Sequence, residues 1–261
     1  LPLYHDMGLI GAWLGSFTVG FSLVVMSPLA FLGSPRRWLE AISRYGGTLS
    51  AGPNFAYELC LNRIDDAALA GLDLSCWRLA FYGAEAVSPD TVTRFGQRFA
   101  ACGLRPTAMT PVYGLAESSV GLLFPPLARG PRIDHIERES FEKKRRAVPS
   151  KQATALRFVA CGRALPGHEI RIVDDAGVAV PERVEGRLEF RGPSATAGYW
   201  RAPELTARLF RGTQGEWLDT GDRAYLAEGD VFVTGRVKDI VIRGGRNLYP
   251  QEIEEAVGAV K

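Results

Sequence analysis

Gly235-Arg236-Val237-Lys238-Asp239 opens the stretch of sequence that decides the fold, and it continues through Ile240-Val-Ile-Arg-Gly-Gly-Arg-Asn247 to Tyr249-Pro-Gln-Glu-Ile-Glu254. It follows a shorter motif, Thr220-Gly221-Asp222. Together the motifs predict an acid, an arginine and a lysine around a sharp turn, followed by a strand and a new helix. Carboxylate and guanidinium groups suit a ribose and a phosphate held where two domains meet. An exposed charged turn would explain either motif alone, but both in this order favour a binding site.

Three earlier motifs extend this pattern: Leu1-Pro-Leu-Tyr-His-Asp-Met-Gly8, Tyr82-Gly-Ala-Glu-Ala-Val87 and Tyr113-Gly-Leu-Ala-Glu117. In this order, and over essentially the whole chain, the motifs resemble those of the adenylate-forming enzymes. That family includes acyl- and aryl-CoA ligases, peptide-synthetase adenylation domains and luciferase-like proteins. The stretches HDMGLIG, AGPNFAYELC, YGLAE and FVACGRALPG are most similar to the fatty acyl-AMP ligases, which pass an acyl group to a carrier protein.

The resemblance implies an α/β fold, part of the large N-terminal domain of such an enzyme. Mixed α/β sheet layers are expected over residues 1–157, with an insertion-like loop at 129–156. A small β-barrel-like subdomain is expected over 158–235, and 236–261 would form the hinge and the start of the small C-terminal domain. The family's glycine-rich phosphate loop and its catalytic lysine would lie outside this sequence on either side, so we expect an internal fragment.

The composition agrees with a soluble globular protein: 261 residues, 46% hydrophobic and 23% charged, with a formal charge of +2. A nearly balanced charge gives no case for nucleic acid as a partner. The basic run 143–146 is interpreted as a solvated face. The four cysteines are far apart and show no metal-ligand spacing, so they predict buried, reduced thiols and a cytoplasmic location.

One uncharged stretch, Met7–Pro35, is long enough to span a bilayer. Glycines interrupt it repeatedly, and Ser22–Met26 has the pattern of a short buried strand. We therefore predict a helix followed by a core strand, and no membrane span.

Local signals predict several elements. Ser34-Pro35 and Ser88-Pro89 each predict a helix start, with serine as the cap and proline at the first position. Val92, Phe95 and Phe99 predict the apolar stripe of the second of these helices. Arg78–Tyr82 and Thr107–Tyr113 are predicted strands that end in glycine-containing loops, where ligands collect in open α/β sheets. Beyond Phe158, alternating patterns predict two β-hairpins, one within His168–Arg191 and one within Ala224–Thr234. The polar segment 129–156 has no clear period, so it is either the insertion that distinguishes fatty acyl-AMP ligases or a disordered surface loop.

The resemblance assigns the nucleotide-binding residues of the first half to two loops. Tyr113 would stack on adenine, and Gly114 would let the backbone come close to it. The other expected contacts are Gly83, Ala84, Glu85, Leu115 and Ala116. Glu117 would hold Mg²⁺, since a carboxylate is a hard oxygen ligand; the alternative is a surface glutamate after a turn.

In the second half, Asp222 would accept hydrogen bonds from both ribose hydroxyls, and Arg236 would contact ribose oxygens or the α-phosphate of ATP. Alternatively, these two side chains simply pair with each other. Lys238 resembles the family's hinge position, although a solvated lysine would look the same. Glu117, Arg236 and Lys238 are the predicted catalytic residues.

The acyl substrate is expected near two other motifs. His5 and Asp6 would lie by the acyl channel or the entrance for the thiol, although Asp6 could instead cap the helix that follows. Gly52-Pro53-Asn54-Phe55 would line the acyl tunnel; core packing accounts for Phe55 equally well.

These expectations combine into one function: ATP- and Mg²⁺-dependent activation of a fatty acid as acyl-adenylate, followed by transfer to the phosphopantetheine thiol of an acyl carrier protein. A fatty acyl-CoA ligase is the alternative within the family. A non-catalytic nucleotide-binding or interaction fragment is the alternative from another class.

Overall fold

The computed structural model describes residues 1–212, 216–243, 246–250 and 257. The chain forms two compact units, one of residues 1–121 with 125–131, the other of residues 122–124 with 132–261. The helix predicted after Pro250 falls mostly on residues 251–256, which lie outside the described residues, as do Gly244 and Gly245 of the opening motif.

A parallel sheet of three strands organises the first unit: β1 (Leu49–Gly52), β2 (Leu79–Tyr82) and β3 (Met109–Pro111), in the order β1-β2-β3. The strands predicted at Arg78–Tyr82 and Thr107–Tyr113 are confirmed, the second in a shorter form. Since parallel strands all end at the same edge of a sheet, the loops after β1, β2 and β3 come together there.

Helices carry the rest of the first unit. They are a π-helix (Met7–Leu14), α1 (Gly15–Val19), α2 (Pro28–Gly33), α3 (Arg36–Tyr45), α4 (Asn54–Arg63) and α5 (Pro89–Phe99), with short 3₁₀ turns at 67–69, 100–102, 106–108 and 116–118. Their apolar stripes surround a fully buried aromatic core that includes Tyr57, Trp77 and Phe95. The predicted stripe of α5 is confirmed, since Val92, Phe95 and Phe99 are all buried.

The two predicted helix caps have different outcomes. The Ser88 side chain accepts a hydrogen bond from the backbone N–H of Thr91 at 3.3 Å, as a serine N-cap should. The predicted Ser34 cap is wrong: α3 begins at Arg36 and makes no side-chain cap bond, because Ser34 instead ends α2.

The uncharged stretch also departs from its prediction in one part. The helix forms, but residues 21–27 make no strand, and the side chains of Val24 and Val25 are 52% and 63% exposed. A buried strand needs a neighbour to pair with and a layer to cover it, and within the described residues this segment has no pairing strand. No helix in the described part of the chain is both long and apolar enough to cross a membrane.

The second unit is built on strands. They are β4 (Leu123–Phe124), β5 (Ile133–Ile136), β6 (Leu156–Ala164), β7 (Glu169–Val173), β8 (Gly186–Arg191), β9 (Phe210–Arg211), β10 (Trp217–Ala227), β11 (Asp230–Arg236), β12 (Val241–Arg243) and β13 (Arg246–Leu248). The main sheet runs β4-β6-β11-β10-β8-β7, with β5 beside β6 and β9 beside β10, while β12 and β13 form a separate hairpin. Both predicted hairpins, β7–β8 and β10–β11, are confirmed as antiparallel pairs.

The segment 129–156 is more ordered than a surface loop. It contributes strand β5, which pairs with β6, and helix α6 (Arg138–Lys144). Phe141 of this helix is fully buried and packs against Phe158 and Tyr225, with ring centroids 5.4 and 5.8 Å apart. The remaining helix of this unit is α7 (Pro203–Leu209).

Candidate active site

Three of the predicted motifs meet at one edge of the parallel sheet. Residues 52–55 follow β1, residues 83–85 follow β2, and residues 113–117 follow β3. Backbone hydrogen bonds tie the strand ends together, from Gly83 N to Gly52 O at 3.4 Å and from Val112 N to Tyr82 O at 2.9 Å. The expected acyl-tunnel motif and the two expected nucleotide loops are therefore neighbours.

Side chains reinforce this junction. The Asn54 side-chain oxygen accepts hydrogen bonds from the Tyr82 hydroxyl and from the Ser88 backbone N–H, the latter at 3.3 Å. The Glu85 carboxylate accepts a hydrogen bond from the backbone N–H of Phe55 at 2.7 Å. Phe55 lies in the first turn of α4, whose N-cap residue Pro53 provides no side-chain bond. Glu85 thus supplies the missing cap and places negative charge at the positive end of the helix dipole.

Phe55 itself is not a core residue. This residue, in the first turn of α4, is 52% exposed. The alternative of core packing is therefore wrong for this aromatic ring.

The two loop glycines are required by the packing of the chain on itself. A Cβ on Gly83 would lie 2.6 Å from the Val112 carbonyl oxygen, and one on Gly114 would lie 1.8 Å from the Val120 carbonyl oxygen. Only glycine permits such close backbone approach. Neighbouring backbone thus occupies the place of the missing Cβ at both positions. This packing, and not the ligand contact expected from the sequence, is the reason that the structure gives for glycine there.

The loop after β3 presents the remaining expected nucleotide contacts. Tyr113 and Leu115 are half-buried, Ala116 is exposed, and Glu117 is half-buried in the 3₁₀ turn Ala116–Ser118. The Ser118 hydroxyl closes this turn by donating to the Gly121 carbonyl at 3.2 Å. A single strand end therefore carries an aromatic ring and, four residues on, a carboxylate.

A magnesium ion is compatible with this loop. Mg²⁺ in phosphate-binding enzymes is held by one or two carboxylates together with substrate phosphates and water, without a dedicated all-protein cage. The half-buried Glu117 offers one such carboxylate. Among the described residues, no group of three His, Cys, Asp or Glu side chains could hold a metal by itself.

His5 and Asp6 form a local pair at the start of the π-helix. The Asp6 carboxylate lies 2.7 Å from His5 Nδ1 and accepts a hydrogen bond from the Met7 backbone N–H at 2.6 Å. Asp6 is therefore the helix cap that the sequence offered as its alternative role. The His5 ring remains exposed at the surface of the first unit.

The second unit places Asp222 opposite Arg236. The two residues are direct partners in the antiparallel pair of β10 and β11, and Asp222 Oδ1 lies 3.7 Å from Arg236 Nε. Asp222 and Arg236 therefore do pair with each other, as the sequence offered as an alternative. Their contact is an ion pair, because 3.7 Å is too long for a hydrogen bond. The Asp222 side chain is 12% exposed, whereas that of Arg236 is 64% exposed, so the guanidinium keeps donors available to a ligand.

The turn that carries Asp222 is held by residues that the sequence analysis did not identify. Asp219 accepts a hydrogen bond from the Gly221 N–H at 2.9 Å and forms ion pairs with Arg187 and, at 3.3 Å, with Arg211. The Thr220 hydroxyl donates to the Leu188 carbonyl at 2.8 Å and accepts from the Asp222 N–H at 3.1 Å. These contacts fill the irregular register between β10 and β8. An acid directly before Thr-Gly-Asp was the only signal of them in the sequence.

Lys238 lies in an exposed turn directly after β11. The turn is closed by a hydrogen bond from Asp239 N to Arg236 O at 3.1 Å, and Val237 N bonds to Gly221 O at 2.9 Å. Arg236 and the loop of Asp222 are thus joined through the backbone as well as by charge.

The cysteines are not candidate nucleophiles. Cys60, Cys102 and Cys161 are buried and Cys76 is half-buried, and all four are free thiols, as predicted. Burial raises the pKa of Cys60 and of Cys161 to about 12, so both thiols stay protonated at neutral pH.

Comparison with known proteins gives these sites a context. The family model for AMP-binding enzymes matches residues 1–200. A putative acyl-CoA synthetase of Caulobacter vibrioides is 37% identical over 256 residues, which are 97% of this chain and 44% of that protein. A medium-chain-fatty-acid–[acyl-carrier-protein] ligase of Moorena producens is 39% identical over 267 residues, 98% of this chain and 45% of the relative.

The solved structures include one from a study of fatty acyl-adenylate ligases of E. coli and L. pneumophila. It superposes with a TM-score of 0.93 at 39% identity and covers 98% of this chain and 46% of its own. The chain therefore spans about half the length of the curated relatives it matches. The order of its motifs, its α/β architecture and these matches together show that the chain belongs to the AMP-binding, adenylate-forming enzyme family.

Proposed function

We propose that the full-length protein activates a fatty acid with ATP and then transfers the acyl group to the phosphopantetheine thiol of an acyl carrier protein. The observation that carries this proposal is the meeting of three motifs at one sheet edge, where Asn54 and Glu85 join the loops after β1 and β2. A site for an acyl chain beside a site for a nucleotide is what this reaction requires.

In the first step, an oxygen of the fatty acid carboxylate attacks the α-phosphorus of ATP. The bond between this phosphorus and the bridging oxygen to the β-phosphate breaks, pyrophosphate leaves, and acyl-adenylate remains. The protein contributes mainly position and charge. Tyr113 stacks on adenine, the loop at 83–85 lines its edge, and Asp222 accepts from the ribose hydroxyls.

Arg236 and Glu117 are proposed to stabilise the negative charge of the phosphates, Arg236 directly and Glu117 through Mg²⁺. The exposed guanidinium of Arg236, 3.7 Å from the Asp222 carboxylate, donates to ribose oxygens or to the α-phosphate. Glu117 would hold Mg²⁺, which when bound neutralises phosphate oxygens as charge develops.

In the second step, the carrier thiol attacks the acyl carbonyl carbon and AMP leaves, giving a thioester. A carrier protein is favoured as acceptor by the relative named as an acyl-carrier-protein ligase. The segment 129–156, which contains β5 and α6, is proposed to be the insertion that the fatty acyl-AMP ligases carry in this part of the fold. His5 and Asp6 are proposed to lie near the entrance for the thiol, and the whole protein is proposed to be cytoplasmic.

Coenzyme A is the competing acceptor, favoured by the relative named as a putative acyl-CoA synthetase. ATP–pyrophosphate exchange by the full-length protein across a panel of fatty acids tests the first step. Single-turnover transfer to CoA and to a phosphopantetheinylated carrier then tests the second. If no fatty acid raises the rate of ATP–pyrophosphate exchange above that in buffer alone, adenylation of fatty acids is refuted. If acyl transfer to CoA is as fast as transfer to the carrier protein, the carrier assignment is refuted.

A further inference from the structure

A buried carboxylate in the second unit binds the chain on both sides of the proposed hinge. Glu185, which directly precedes β8, is 2% exposed. Its Oε1 accepts a hydrogen bond from the Thr234 hydroxyl at 2.5 Å and a second from the Tyr249 hydroxyl at 3.1 Å. Thr234 lies before Lys238 in the chain and Tyr249 lies after it. One oxygen atom therefore closes a loop of chain that contains the hinge.

Tyr249 is anchored by more than this bond. Its side chain is fully buried, and its ring packs against those of Phe141 and Phe158 with centroids 5.3 and 5.8 Å apart. The side chain of Asn247, in the middle of β13, is buried as well. Tyr249, eleven residues beyond Lys238, is therefore held in the core of the second unit.

The turn that contains Lys238 is much more open than the two anchors. Arg236, Lys238 and Asp239 are all exposed, in contrast to buried Thr234 and Tyr249. A rotation of the backbone at Lys238 would change the path of the exposed turn. It could not carry the chain beyond Tyr249 to a new position while Tyr249 stayed bonded to Glu185.

We propose that Glu185 is a latch, a positioning residue whose hydrogen bond to Tyr249 must open before the chain beyond the hinge can rotate between the two half-reactions. This proposal rests on the proposed function, because only a two-step reaction at one site needs such a rotation.

The surroundings of Glu185 suit a latch that can be released. Its other oxygen, Oε2, is buried with no hydrogen-bond partner among the described residues, and so is one terminal nitrogen of Arg223. Buried unsatisfied groups weaken the closed arrangement relative to a fully bonded one. The groups that act on the carboxylate are Thr234, Tyr249, Arg223 and Arg145, and burial outweighs them to raise its pKa.

The test uses two matched tyrosine variants of the full-length protein. Tyr249→Phe removes the latch hydroxyl and keeps the ring. Tyr225→Phe is the control, because Tyr225 is another fully buried ring in the same cluster whose hydroxyl bonds a carboxylate, that of Asp134, at 3.0 Å. Hydrogen–deuterium exchange of peptides covering 241–250 is measured in both variants and in wild type.

We expect exchange in these peptides to become at least tenfold faster in Tyr249→Phe and to change less than twofold in Tyr225→Phe. Equal exchange in the two variants, whether slow or fast, would overturn the latch. Glu185→Gln should behave like Tyr249→Phe, since it weakens the same acceptor without changing its shape.

The ratio of the two reaction rates distinguishes a latch from a residue that only stabilises the fold. The ratio of the transfer rate to the adenylation rate should shift at least threefold in Tyr249→Phe and stay constant in Tyr225→Phe; an unchanged ratio in both would overturn the latch's part in catalysis. If wild type shows no pyrophosphate exchange with any fatty acid, the proposed function fails, and the deuterium measurement still decides whether the latch exists.

Discussion

The carboxylate of Glu85 accepts a hydrogen bond from the backbone N–H of Phe55 at 2.7 Å and so caps helix α4 from the neighbouring strand end. The contact links the loop after β2 to the loop after β1. Glu85, which is expected to contact the nucleotide, therefore also helps to hold residues 52–55, the expected lining of the acyl tunnel, in position.

Replacing Glu85 with alanine should lower the free energy of unfolding by about 1 kcal/mol, because a helix cap contributes roughly that amount. Urea unfolding of the full-length protein measures the change. Glu40→Ala is the control, since Glu40 forms an exposed i,i+4 ion pair with Arg36 on α3 and such pairs contribute about 0.5 kcal/mol or less. Equal losses in the two variants would contradict the capping role.

Asp222→Asn should reduce ATP–pyrophosphate exchange by about 10- to 100-fold, since hydrogen bonds to a charged group contribute about 1.5–3 kcal/mol and each 1.4 kcal/mol is about tenfold in rate. Asparagine is chosen because the Asp222 side chain is only 12% exposed, and a residue of the same shape leaves no cavity there. Glu169→Gln, at an exposed carboxylate of the same unit that pairs with Arg191, should leave exchange unchanged. Wild-type exchange in Asp222→Asn would refute the ribose assignment.

Glu117→Gln should raise the Mg²⁺ concentration needed for half-maximal exchange by about tenfold, because the amide is a weaker ligand for a hard cation than the carboxylate. The measurement is a magnesium titration of exchange at saturating ATP. If the variant follows the wild-type titration and loses only maximal rate, Glu117 does not hold the metal.

Glu185 should make stability depend on pH in an unusual direction. Burial raises its pKa above the ordinary value of 4.5, so the folded chain binds this proton more readily than the unfolded chain. The stability it contributes is therefore fully present below the unfolded pKa and is lost as the pH rises through the folded pKa. Relative to Glu185→Gln, wild type should lose stability between about pH 4.5 and the raised pKa.

Urea unfolding of both proteins across this range measures the effect. Exposed Glu169 provides the opposite case, because its hydrogen bond with Arg191 lowers its pKa and its contribution is lost as the pH falls. A constant difference between wild type and Glu185→Gln at all pH values would contradict the prediction.

Lys238→Pro should slow acyl transfer more than adenylation, because proline restricts the backbone rotation that a hinge requires. Lys238→Ala is the matched control, since it removes the charge and leaves the backbone free. Single-turnover measurements of adenylation and of acyl transfer test this prediction. If Lys238→Pro slows both half-reactions by the same factor, Lys238 is not a hinge.

Local signals predicted much of the fold. Ser88-Pro89 and the stripe of Val92, Phe95 and Phe99 define α5 because capping and helical spacing act over a few residues. The same kind of signal failed at Ser34, where a second helix, α2, ends on the predicted cap. It failed again at Val24 and Val25, whose apolar pattern has no partner strand among the described residues.

Contacts between residues far apart in the chain could not be predicted from the sequence. Glu185 meets Thr234 and Tyr249 from 49 and 64 residues away, and nothing local marks it as buried. The ion pair of Asp219 with Arg187 depends on an irregular register between β10 and β8 that no pattern of residues predicts. The loops at the sheet edge were predictable because parallel strands share one edge. Glu85's role as a helix cap was not, because Glu85 lies 30 residues from the helix end that it caps.

The central claim is that the loops at the end of the parallel sheet bind the acyl-adenylate. A crystal structure of the full-length protein with a non-hydrolysable acyl-adenylate analogue tests it most directly. We predict that the Tyr113 ring stacks on the adenine and that the acyl chain lies along residues 52–55. An analogue bound away from these loops would contradict the account.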